Sequence, residues 1–503
     1  MPKKFSKFPP KKPDNSHIIK APVKLNWSEY QKAIFKNIAQ DTGHLVVEAY
    51  AGSSKTTSIV ESFRYLPKGK KTLALAFNKI IQEELKSRAP SYVEVLTFHS
   101  IGLRAIKQRF GNAVELDDYK VFNLVKSQLK EDDANFDLIV NVCDTVAFCK
   151  YGLQDAPSQI DTIIDNFGID LCEMDRKEFI TLVIKTLALD KAETSKIDFN
   201  DMCWFCFVYN LPLGQFDYVY VDECQDLNKS QLVMAKKACK VAGGRIIMVG
   251  DPFQALYSWR MADTSILESI KAQPSTKILP LPISYRCPKQ VIKLAQSWVP
   301  DITCPDTAIE GEITDISLNE LYKLAKPGCF VLSRTNAPLI KICMALIRNN
   351  VKANIRGRDI GKQLGYLLKK SKKKQTPAFL KWLEEWKIEE LAKLKEKNIN
   401  PENLLDRVEC LTTLCDECKT LEEVSKKIDE LFNDIDEKNM VILSSVHRSK
   451  GLERENVFLL KWTFRAWFDN MHWLEKPNEE ANIAYVGITR SKSKVFVVHK
   501  PVV

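Results

Sequence analysis

The residues best suited to chemistry form the segment AYAGSSKT, which spans positions 49–56 between a predicted strand and a predicted helix. A loop in this context presents backbone N–H groups and the positive end of a helix dipole, which together bind anions. The Lys55 ammonium would reach the β- and γ-phosphates of a nucleotide, and the Thr56 hydroxyl would bind Mg²⁺. The other residues of this phosphate loop that we expect to contact the nucleotide are Ala51, Gly52, Ser53, Ser54 and Thr57.

The phosphate loop departs from the glycine-rich pattern at Ala49 and Ser54, which stand where two glycines are expected. Ser54 matters more, because a residue beside the phosphates can require a left-handed backbone that costs a non-glycine residue about 1 kcal/mol or more. Taken alone, the segment is also compatible with a chance SKT turn.

A second candidate is the segment YVYVDECQD, positions 218–226, in which an apolar strand ends in two acids. Asp222 would bind Mg²⁺ and Glu223 would activate an attacking water. The alternative is a strand end with solvated acids. That alternative loses weight because the phosphate loop belongs to the same predicted sheet.

A third segment, GDPFQALYSWR at positions 250–260, also follows a predicted strand. Gln254 could sense a γ-phosphate. Tyr257, Trp259 and Arg260 offer flat surfaces on which unpaired bases stack. Aromatic residues beside a nucleotide site are more often part of the core, so both interpretations remain open here.

The elements that position these segments alternate between strands and helices. A capping box at Ser28 and Gln31 predicts a helix within 25–43, and apolar runs predict five buried strands. The five strands of the first unit are 45–47, 72–77, 93–97, 218–221 and 246–249. The strands predicted for a second unit, beginning near Lys277, are 277–281, 329–333, 441–444, 457–460 and 494–498. This alternation favours α/β architecture with parallel, doubly wound sheets.

Two mainly helical stretches interrupt the alternation, so we predict two α/β domains, each carrying an insertion. A basic tail precedes them at 1–24. The first domain takes 25–103 and 198–275, with its insertion at 104–197, and the second takes 276–355 and 438–503, with a small insertion at 356–437.

Charge and composition exclude some classes of protein and leave others open. The 503 residues carry a formal net charge of +10, and positions 1–24 alone hold seven lysines against one acid. This tail and the run KKSKKK at 369–374 are either solvated segments or sequence-independent contacts to phosphate backbones. No apolar run is long enough for a membrane span, and the first residues do not form a secretion signal. The 14 cysteines are therefore expected to be mostly reduced thiols.

Together and in this order, the segments resemble a superfamily-1 DNA helicase of the UvrD/PcrA/Rep type, near the F-box DNA helicase branch and its phage relatives. The resemblance covers most of residues 25–500 apart from the insertions. Further matching segments are AFNK at 76–79, TFH at 97–99, DFNDM at 198–202, SYR at 284–286, VHRSKGLE at 446–453 and AYVGITR at 484–490. It implies two RecA-like domains with ATP and Mg²⁺ bound in the cleft between them.

The resemblance also implies roles for residues outside the phosphate loop. Gln31 would read adenine and Tyr285 would stack on it. Arg286 would bind the γ-phosphate, Glu453 would lie near the ribose, and Arg490 would act as an arginine finger. The residues expected to contact DNA are Phe77, Asn78, Lys79, Thr97, His99, Tyr257, Trp259, Arg260, Arg334, His447 and Lys450.

The implied function is ATP-driven movement on single-stranded DNA, 3′→5′ by family resemblance, coupled to unwinding in replication, recombination or repair. Two alternatives remain: a translocase that strips proteins with little unwinding, and a weakly catalytic nucleic-acid-binding protein, suggested by Ser54. We expect a monomer acting on single strands and junctions, with replication or recombination proteins as possible partners. We expect it inside a cell, in the cytoplasm or nucleoid of a bacterium or phage-infected cell, or in a nucleus. Cys410, Cys415 and Cys418 have iron–sulfur-like spacing, but ordinary thiols are the favoured interpretation.

Overall fold

Two parallel β-sheets, each flanked by helices, organise the chain. The computed structural model describes residues 26–130, 135–256, 268, 270–396, 400–432, 439–467 and 477–500. The strands are β1 Leu45–Ala49, β2 Thr72–Ala76, β3 Val93–Thr97, β4 Glu115–Leu116, β5 Lys196–Ile197, β6 Tyr218–Asp222, β7 Arg245–Gly250, β8 Lys277–Leu281, β9 Glu312–Ser317, β10 Phe330–Ser333, β11 Ala353–Ile355, β12 Val441–Ser445, β13 Arg454–Leu460 and β14 Ser491–His499.

The first sheet has the strand order β3-β2-β6-β7-β1-β8, and every neighbouring pair is parallel. Successive residues of β2 alternate between its faces: Leu73 and Leu75 join one apolar core, whereas Ala74 and Ala76 join the other. Both faces are therefore buried, as the continuous apolar runs predicted. The helices of this domain are α1 Glu29–Gln40, α2 Lys55–Ser62, α3 Lys79–Arg88, α4 Phe98–Phe110, α9 Asp201–Val208 and α10 Lys229–Ala238.

The second sheet has the order β11-β12-β10-β13-β14-β9 and is also parallel throughout. Val331 packs on one face of β10, and Phe330 and Leu332 pack on the other. The α/β class with two doubly wound parallel sheets is confirmed. The helices around this sheet are α11 Lys289–Ala295, α12 Leu318–Leu324, α13 Ala337–Arg348, α18 Val446–Ser449 and α19 Pro477–Ile488.

One strand belongs to a different sheet from the one predicted. The segment 277–281 was assigned to the start of the second domain, but β8 pairs in parallel with β1 from Leu45 opposite Lys277 to Ala49 opposite Leu281. The first sheet thus extends past the predicted boundary at 275. The apolar pattern of a strand does not say which sheet it joins, and β8 is an edge strand with most of its residues partly or fully exposed.

Four of the described strands were not predicted: β4 and β5, which form a two-residue parallel pair, and the edge strands β9 and β11 of the second sheet. The sequence of β9 is EITDIS, which is polar because this edge strand is largely exposed. Strand β11 has only three residues and lies at the opposite edge. Exposure thus hides β9, whereas β11 is buried but too short to form a recognisable apolar run.

Helices make up most of both insertions, as predicted. The first holds α5 Lys120–Gln128, α6 Phe136–Gly152, α7 Pro157–Phe167 and α8 Arg176–Ala192, and the second holds α14 Arg358–Lys370, α15 Thr376–Glu396, α16 Glu402–Cys415 and α17 Leu421–Leu431. The first insertion is not a separate unit, because Val142 and Phe179 share one core with Phe98 and Leu75 of the first domain.

A buried cluster of charges fixes this insertion to the first domain. The Lys150 ammonium on α6 lies 2.6–2.9 Å from carboxylate oxygens of Asp190, Asp198 and Asp201. Lys120 on α5 adds contacts of 2.8 Å to Asp190 and Asp201. All five side chains are nearly inaccessible to solvent, so their charges must compensate one another.

Replacing Lys150 with methionine is expected to lower the free energy of unfolding by about 3–5 kcal/mol, because three buried carboxylates would then share one ammonium. Urea unfolding followed by circular dichroism measures the change. Lys185→Met, at an exposed position of α8 in the same insertion, is the matched control and should stay within about 0.5 kcal/mol of the wild type. Equal unfolding midpoints for the two variants would contradict the structural role of the cluster.

Candidate functional site

A cleft of about 940 Å³ lies between the two sheets and receives residues from both domains. The first domain contributes the phosphate loop and the carboxyl ends of β2 and β6. The second contributes the segments around positions 285, 452 and 490. Most of the residues predicted to bind nucleotide therefore meet in one place, although they are widely separated in sequence. The predicted site residues that line the cleft are Gly52, Ser53, Ser54, Lys55, Thr56, Thr57, Phe77, Asn78, Asp222, Glu223, Gln254, Tyr285, Arg286, Lys450, Glu453 and Arg490.

The phosphate loop connects β1 to α2, as predicted, and turns through two left-handed residues. Gly52 has φ 73° and Ser54 has φ 61°. A Cβ atom on Gly52 would lie 2.7 Å from the Cβ of Arg286, so only glycine fits there. Ser54 adopts the conformation that its glycine-like position requires, with a side chain in place.

The second domain holds this loop through Tyr485, a residue that was not predicted as part of the site. Its hydroxyl accepts a hydrogen bond of 2.8 Å from the backbone N–H of Ala51 and lies 3.2 Å from a carboxylate oxygen of Asp251. The backbone N–H of Tyr285 donates to the carbonyl of Gly52 over 2.9 Å. Tyr485 belongs to the segment at 484–490 that carries the family resemblance. A tyrosine in such a segment predicts a core position, so the residue type alone did not indicate a site residue.

The two acids at the end of β6 lie close to the loop lysine. The Lys55 ammonium is 3.9 Å from Glu223 Oε1, and Gln225 donates a 2.7 Å hydrogen bond to Glu223 Oε2. Burial opposes ionisation of Glu223, but the ammonium groups of Lys55 and Lys450 outweigh it and hold its pKa below the ordinary value. Glu223 is therefore ionised at neutral pH, as a general base must be.

Asp222 offers a place for a cation. Its side chain is buried, and burial together with the neighbouring Glu223 raises its pKa. Within the described residues, the Asp222 side chain accepts one hydrogen bond, from the backbone N–H of Glu223 at 2.9 Å. The Asp222 carboxylate and the Thr56 hydroxyl line the same cleft, and both are hard oxygen ligands of the kind that Mg²⁺ prefers, so the residues present fit the predicted metal.

Arginines from the second domain complete the cleft. Arg490 is only 1% exposed, and it donates to the Val486 carbonyl over 3.0 Å and to Gln254 Oε1 over 3.5 Å. Burial, with the nearby Arg286 guanidinium, lowers the pKa of Arg490 to about 10, so it remains charged at neutral pH. Arg286 forms an ion pair with Glu453. The predicted arginine finger thus lies beside the predicted γ-phosphate sensor.

Gln254 is also fixed within the first domain. Its side-chain Nε2 donates a 2.7 Å hydrogen bond to Asp251. The backbone carbonyl of Gln254 accepts a hydrogen bond of 2.6 Å from the Lys450 ammonium. The structure places Lys450 in the cleft between the domains, and the DNA contact expected of it stays a prediction. Its ammonium lies 2.7 Å from both carboxylate oxygens of Asp226. Glu223 and Asp226, both from the segment at 218–226, thus face two lysines from different domains.

Two other residues predicted to contact DNA lie inside the second domain. Arg334 donates to Glu480 over 3.0 Å and lies 3.4 Å from Glu402, so acids already hold its guanidinium. Burial, with the charges of Arg334 and Arg448, lowers the pKa of His447 to about 3. His447 is therefore neutral at physiological pH. Acids thus hold the Arg334 guanidinium and His447 carries no charge, while the DNA contacts expected of both residues stay predictions.

The two residues predicted to contact adenine differ in exposure. Tyr285 is 45% exposed and lines the cleft, which leaves its ring accessible to a base. Gln31 is buried in the capping box of α1, accepts from the Ser28 backbone over 3.0 Å, and donates to Ser58 of α2 over 3.0 Å. The hydrogen bond to Ser58 connects Gln31 to the helix that follows the phosphate loop. The adenine contact of Gln31 stays a prediction.

The segments predicted to touch DNA follow β2 and β3, which are neighbours in the first sheet. Phe77 follows β2 half-buried at the cleft, Asn78 caps α3, and Lys79 is exposed. Thr97 ends β3 and caps α4. Because carboxyl ends of parallel strands meet at one edge, both segments share a surface.

The ring of His99 packs 5.2 Å from Phe199. Tyr257, Trp259 and Arg260 lie outside the described residues.

Phe199 is a candidate that the sequence did not single out for DNA. It is 51% exposed and lies beside His99, so its ring is accessible to a base. The signal that could have found it is the segment DFNDM, in which Phe199 stands between two polar residues.

The remaining sequence signals carry no chemistry that the structure shows. Cys410 and Cys415 are buried in α16, and all cysteines in the described residues are free thiols. No group of three or more potential metal-binding side chains occurs in the described part of the chain. Within that part, no helix is both long and apolar enough to cross a bilayer.

Comparison with known families agrees with this arrangement. The family model of the UvrD/REP helicase N-terminal domain matches residues 28–275, and that of the UvrD-like helicase C-terminal domain matches 440–498. The chain belongs to the UvrD-like helicase family, as its motifs predicted.

Individual relatives show how far the similarity extends. The chain is 26% identical over 290 residues to ATP-dependent DNA helicase PcrA of Bacillus subtilis, covering 51% of this chain and 37% of that protein. It is 24% identical over 513 residues to F-box DNA helicase protein 1 of Schizosaccharomyces pombe, covering 90% of this chain and 55% of that protein. The chain thus spans between about one third and just over one half of the length of these relatives.

Proposed function

We propose that this protein is an ATP-driven DNA helicase that moves along single-stranded DNA. One observation carries the proposal: Lys55 and Glu223 of the first domain face Arg286 and Arg490 of the second across one cleft. A nucleotide bound there would touch both domains, so binding and hydrolysis would change how they fit together. The names of the relatives, ATP-dependent DNA helicase and F-box DNA helicase, support the same function.

The side chains divide the work of hydrolysis. The phosphate loop N–H groups and Lys55 bind the phosphate oxygens. Glu223, ionised and held by Gln225, takes a proton from the attacking water as its oxygen bonds to the γ-phosphorus and the bond to the leaving ADP oxygen breaks. Arg286 and Arg490 stabilise the charge on the transferring phosphoryl group. Thr56 and Asp222 would hold Mg²⁺, which would neutralise phosphate charge.

Movement follows from the position of the γ-phosphate between the domains. Before hydrolysis it would join Lys55 to Arg490, and its loss would release that link. Phe77 follows β2 and lines the same cleft, so closing and opening would change its position relative to a stacked base. Alternating stacking and release would advance the protein along one strand.

We propose single strands and single-strand–duplex junctions as substrates, with 3′→5′ movement in replication, recombination or repair. The exposed Phe199 and Lys79, beside the segments that follow β2 and β3, support a surface for unpaired bases and phosphates. We further propose that the protein acts as a monomer inside the cell and meets replication or recombination proteins on DNA.

Duplexes with a 3′ or a 5′ single-stranded overhang test activity and direction together. We expect ATP-dependent strand separation from the 3′-tailed duplex and at least tenfold less from the 5′-tailed one. Faster unwinding of the 5′-tailed duplex would contradict the proposed direction. Single-stranded DNA-stimulated ATP hydrolysis without unwinding of either duplex would contradict the helicase.

A translocase that clears proteins from single strands is the second candidate. The observation that favours it is the small second insertion, in which four helices lie between β11 and β12. Strand displacement and removal of a recombinase filament, measured side by side, separate the two candidates. Filament removal at rates at which no duplex is opened would favour the translocase.

A further inference from the structure

Ser54 is the one residue of the phosphate loop that adopts a left-handed backbone without being glycine. Its dihedral angles are φ 61° and ψ 40°, directly before Lys55. At Gly52, the other left-handed position, a Cβ would lie 2.5 Å from the Ser284 hydroxyl and 2.7 Å from the Cβ of Arg286. The loop therefore excludes a side chain at position 52 and accommodates one at position 54.

The Ser54 side chain has no role in the fold that the structure shows. It makes no cap hydrogen bond to α2, although it stands at the N-cap position. The backbone carbonyl of Ser54 instead accepts from the N–H and the hydroxyl of Ser58, at 2.9 and 3.0 Å. Because Ser54 lines the cleft beside Lys55, its hydroxyl is available to a ligand there.

A second polar atom in the same loop points to a ligand. Ser53 is 1% exposed, and its hydroxyl is buried without a hydrogen-bond partner. Buried hydroxyls in folded proteins are normally paired, so an orphan beside Lys55 indicates that an acceptor belongs in the loop. Serine hydroxyls donate hydrogen bonds, and phosphate oxygens accept them strongly because they are charged.

We propose that the Ser54 hydroxyl donates a hydrogen bond to a phosphate oxygen of a bound nucleoside di- or triphosphate. This inference rests on the proposed function, because it assigns a further ligand to the same nucleotide site. The hydrogen bond offsets the backbone strain that serine incurs where glycine is expected. Ser54 then binds the nucleotide through its side chain. Serine lacks the backbone freedom of glycine at this position but adds a hydroxyl group that can donate a hydrogen bond.

Two substitutions separate the hydroxyl from the strain. Ser54→Gly removes both the hydroxyl and the strain, whereas Ser54→Ala removes the hydroxyl and keeps the strain. Isothermal titration with ADP and with a non-hydrolysable ATP analogue gives the Kd values. We expect both variants to bind both nucleotides about tenfold more weakly than the wild type, a loss of about 1.4 kcal/mol. The glycine variant is compatible with φ 61° and decides the question even where the alanine variant folds poorly.

Glycine-variant binding as tight as that of the wild type, or tighter, would overturn the inference and leave Ser54 as tolerated strain. Lys55→Ala serves as the control for phosphate binding and should lose more affinity than either Ser54 variant. Failure of the wild type to bind ADP would contradict the proposed function and this inference together. If the wild type binds ADP and Ser54→Gly binds it equally well, only this inference is contradicted and the proposed function stands.

Discussion

Glu223→Gln is expected to lower the turnover of single-stranded-DNA-stimulated ATP hydrolysis by about 10²–10⁴-fold, because the amide cannot accept the proton of the attacking water. The substitution keeps the shape of the side chain and an oxygen that can accept the 2.7 Å hydrogen bond from Gln225. ATP binding should therefore survive, so the loss falls on kcat and leaves Kd for the nucleotide close to that of the wild type.

Steady-state phosphate release at saturating DNA measures kcat, and titration with a non-hydrolysable analogue measures binding. Glu83→Gln is the matched control, because Glu83 is an exposed acid of α3 outside the cleft, and its kcat should equal that of the wild type. Normal turnover in Glu223→Gln would remove the general base from the proposed mechanism. An equal loss of kcat in Glu223→Gln and Glu83→Gln would show that turnover responds to the loss of any negative charge, and would leave Glu223 without a specific role.

Arg490→Lys is expected to lower kcat by about 10³-fold or more, because arginine fingers contribute about 10³–10⁵ to phosphoryl transfer. Lysine keeps one positive charge but loses the planar fork that reaches Gln254 and the Val486 carbonyl at once. ADP lacks the γ-phosphate, so its Kd should change much less than kcat does.

Measuring kcat and ADP affinity on the same preparation, with thermal melting as a check on folding, tests this second expectation. Arg490 is buried, so its substitution is expected to lower the stability of the protein. A loss of stability alone would reduce both kcat and the affinity for ADP. Arg64→Lys, at an exposed position after α2, is the control. A kcat within a few-fold of the wild type would exclude Arg490 from transition-state stabilisation.

The central strands and the phosphate loop could be predicted because their signals are local. Strands such as β2 and β6 are buried on both faces and therefore consist of continuous apolar runs. The loop lies between β1 and α2, where its spacing has a direct physical meaning. The edge strand β9 was missed because exposure allows it a polar sequence.

Strand partners and side-chain partners could not be predicted in the same way. The pattern of β8 defines a strand, but the choice of β1 as its neighbour depends on packing across the whole domain. Arg334 and Lys450 carry charges that suit phosphates, yet Glu480 and Asp226 bind them in the fold. Those acids are distant in sequence, so no spacing rule connects them to their partners.

The most direct test of the central claim is the rate of ATP hydrolysis by the wild-type chain with and without single-stranded DNA, measured beside Glu223→Gln. A cleft that joins Lys55 and Glu223 to Arg490 predicts hydrolysis by the wild type, stimulated at least tenfold by DNA, and almost none by the variant. A wild-type rate that DNA does not change, or that the variant matches, would contradict an ATP-driven DNA motor.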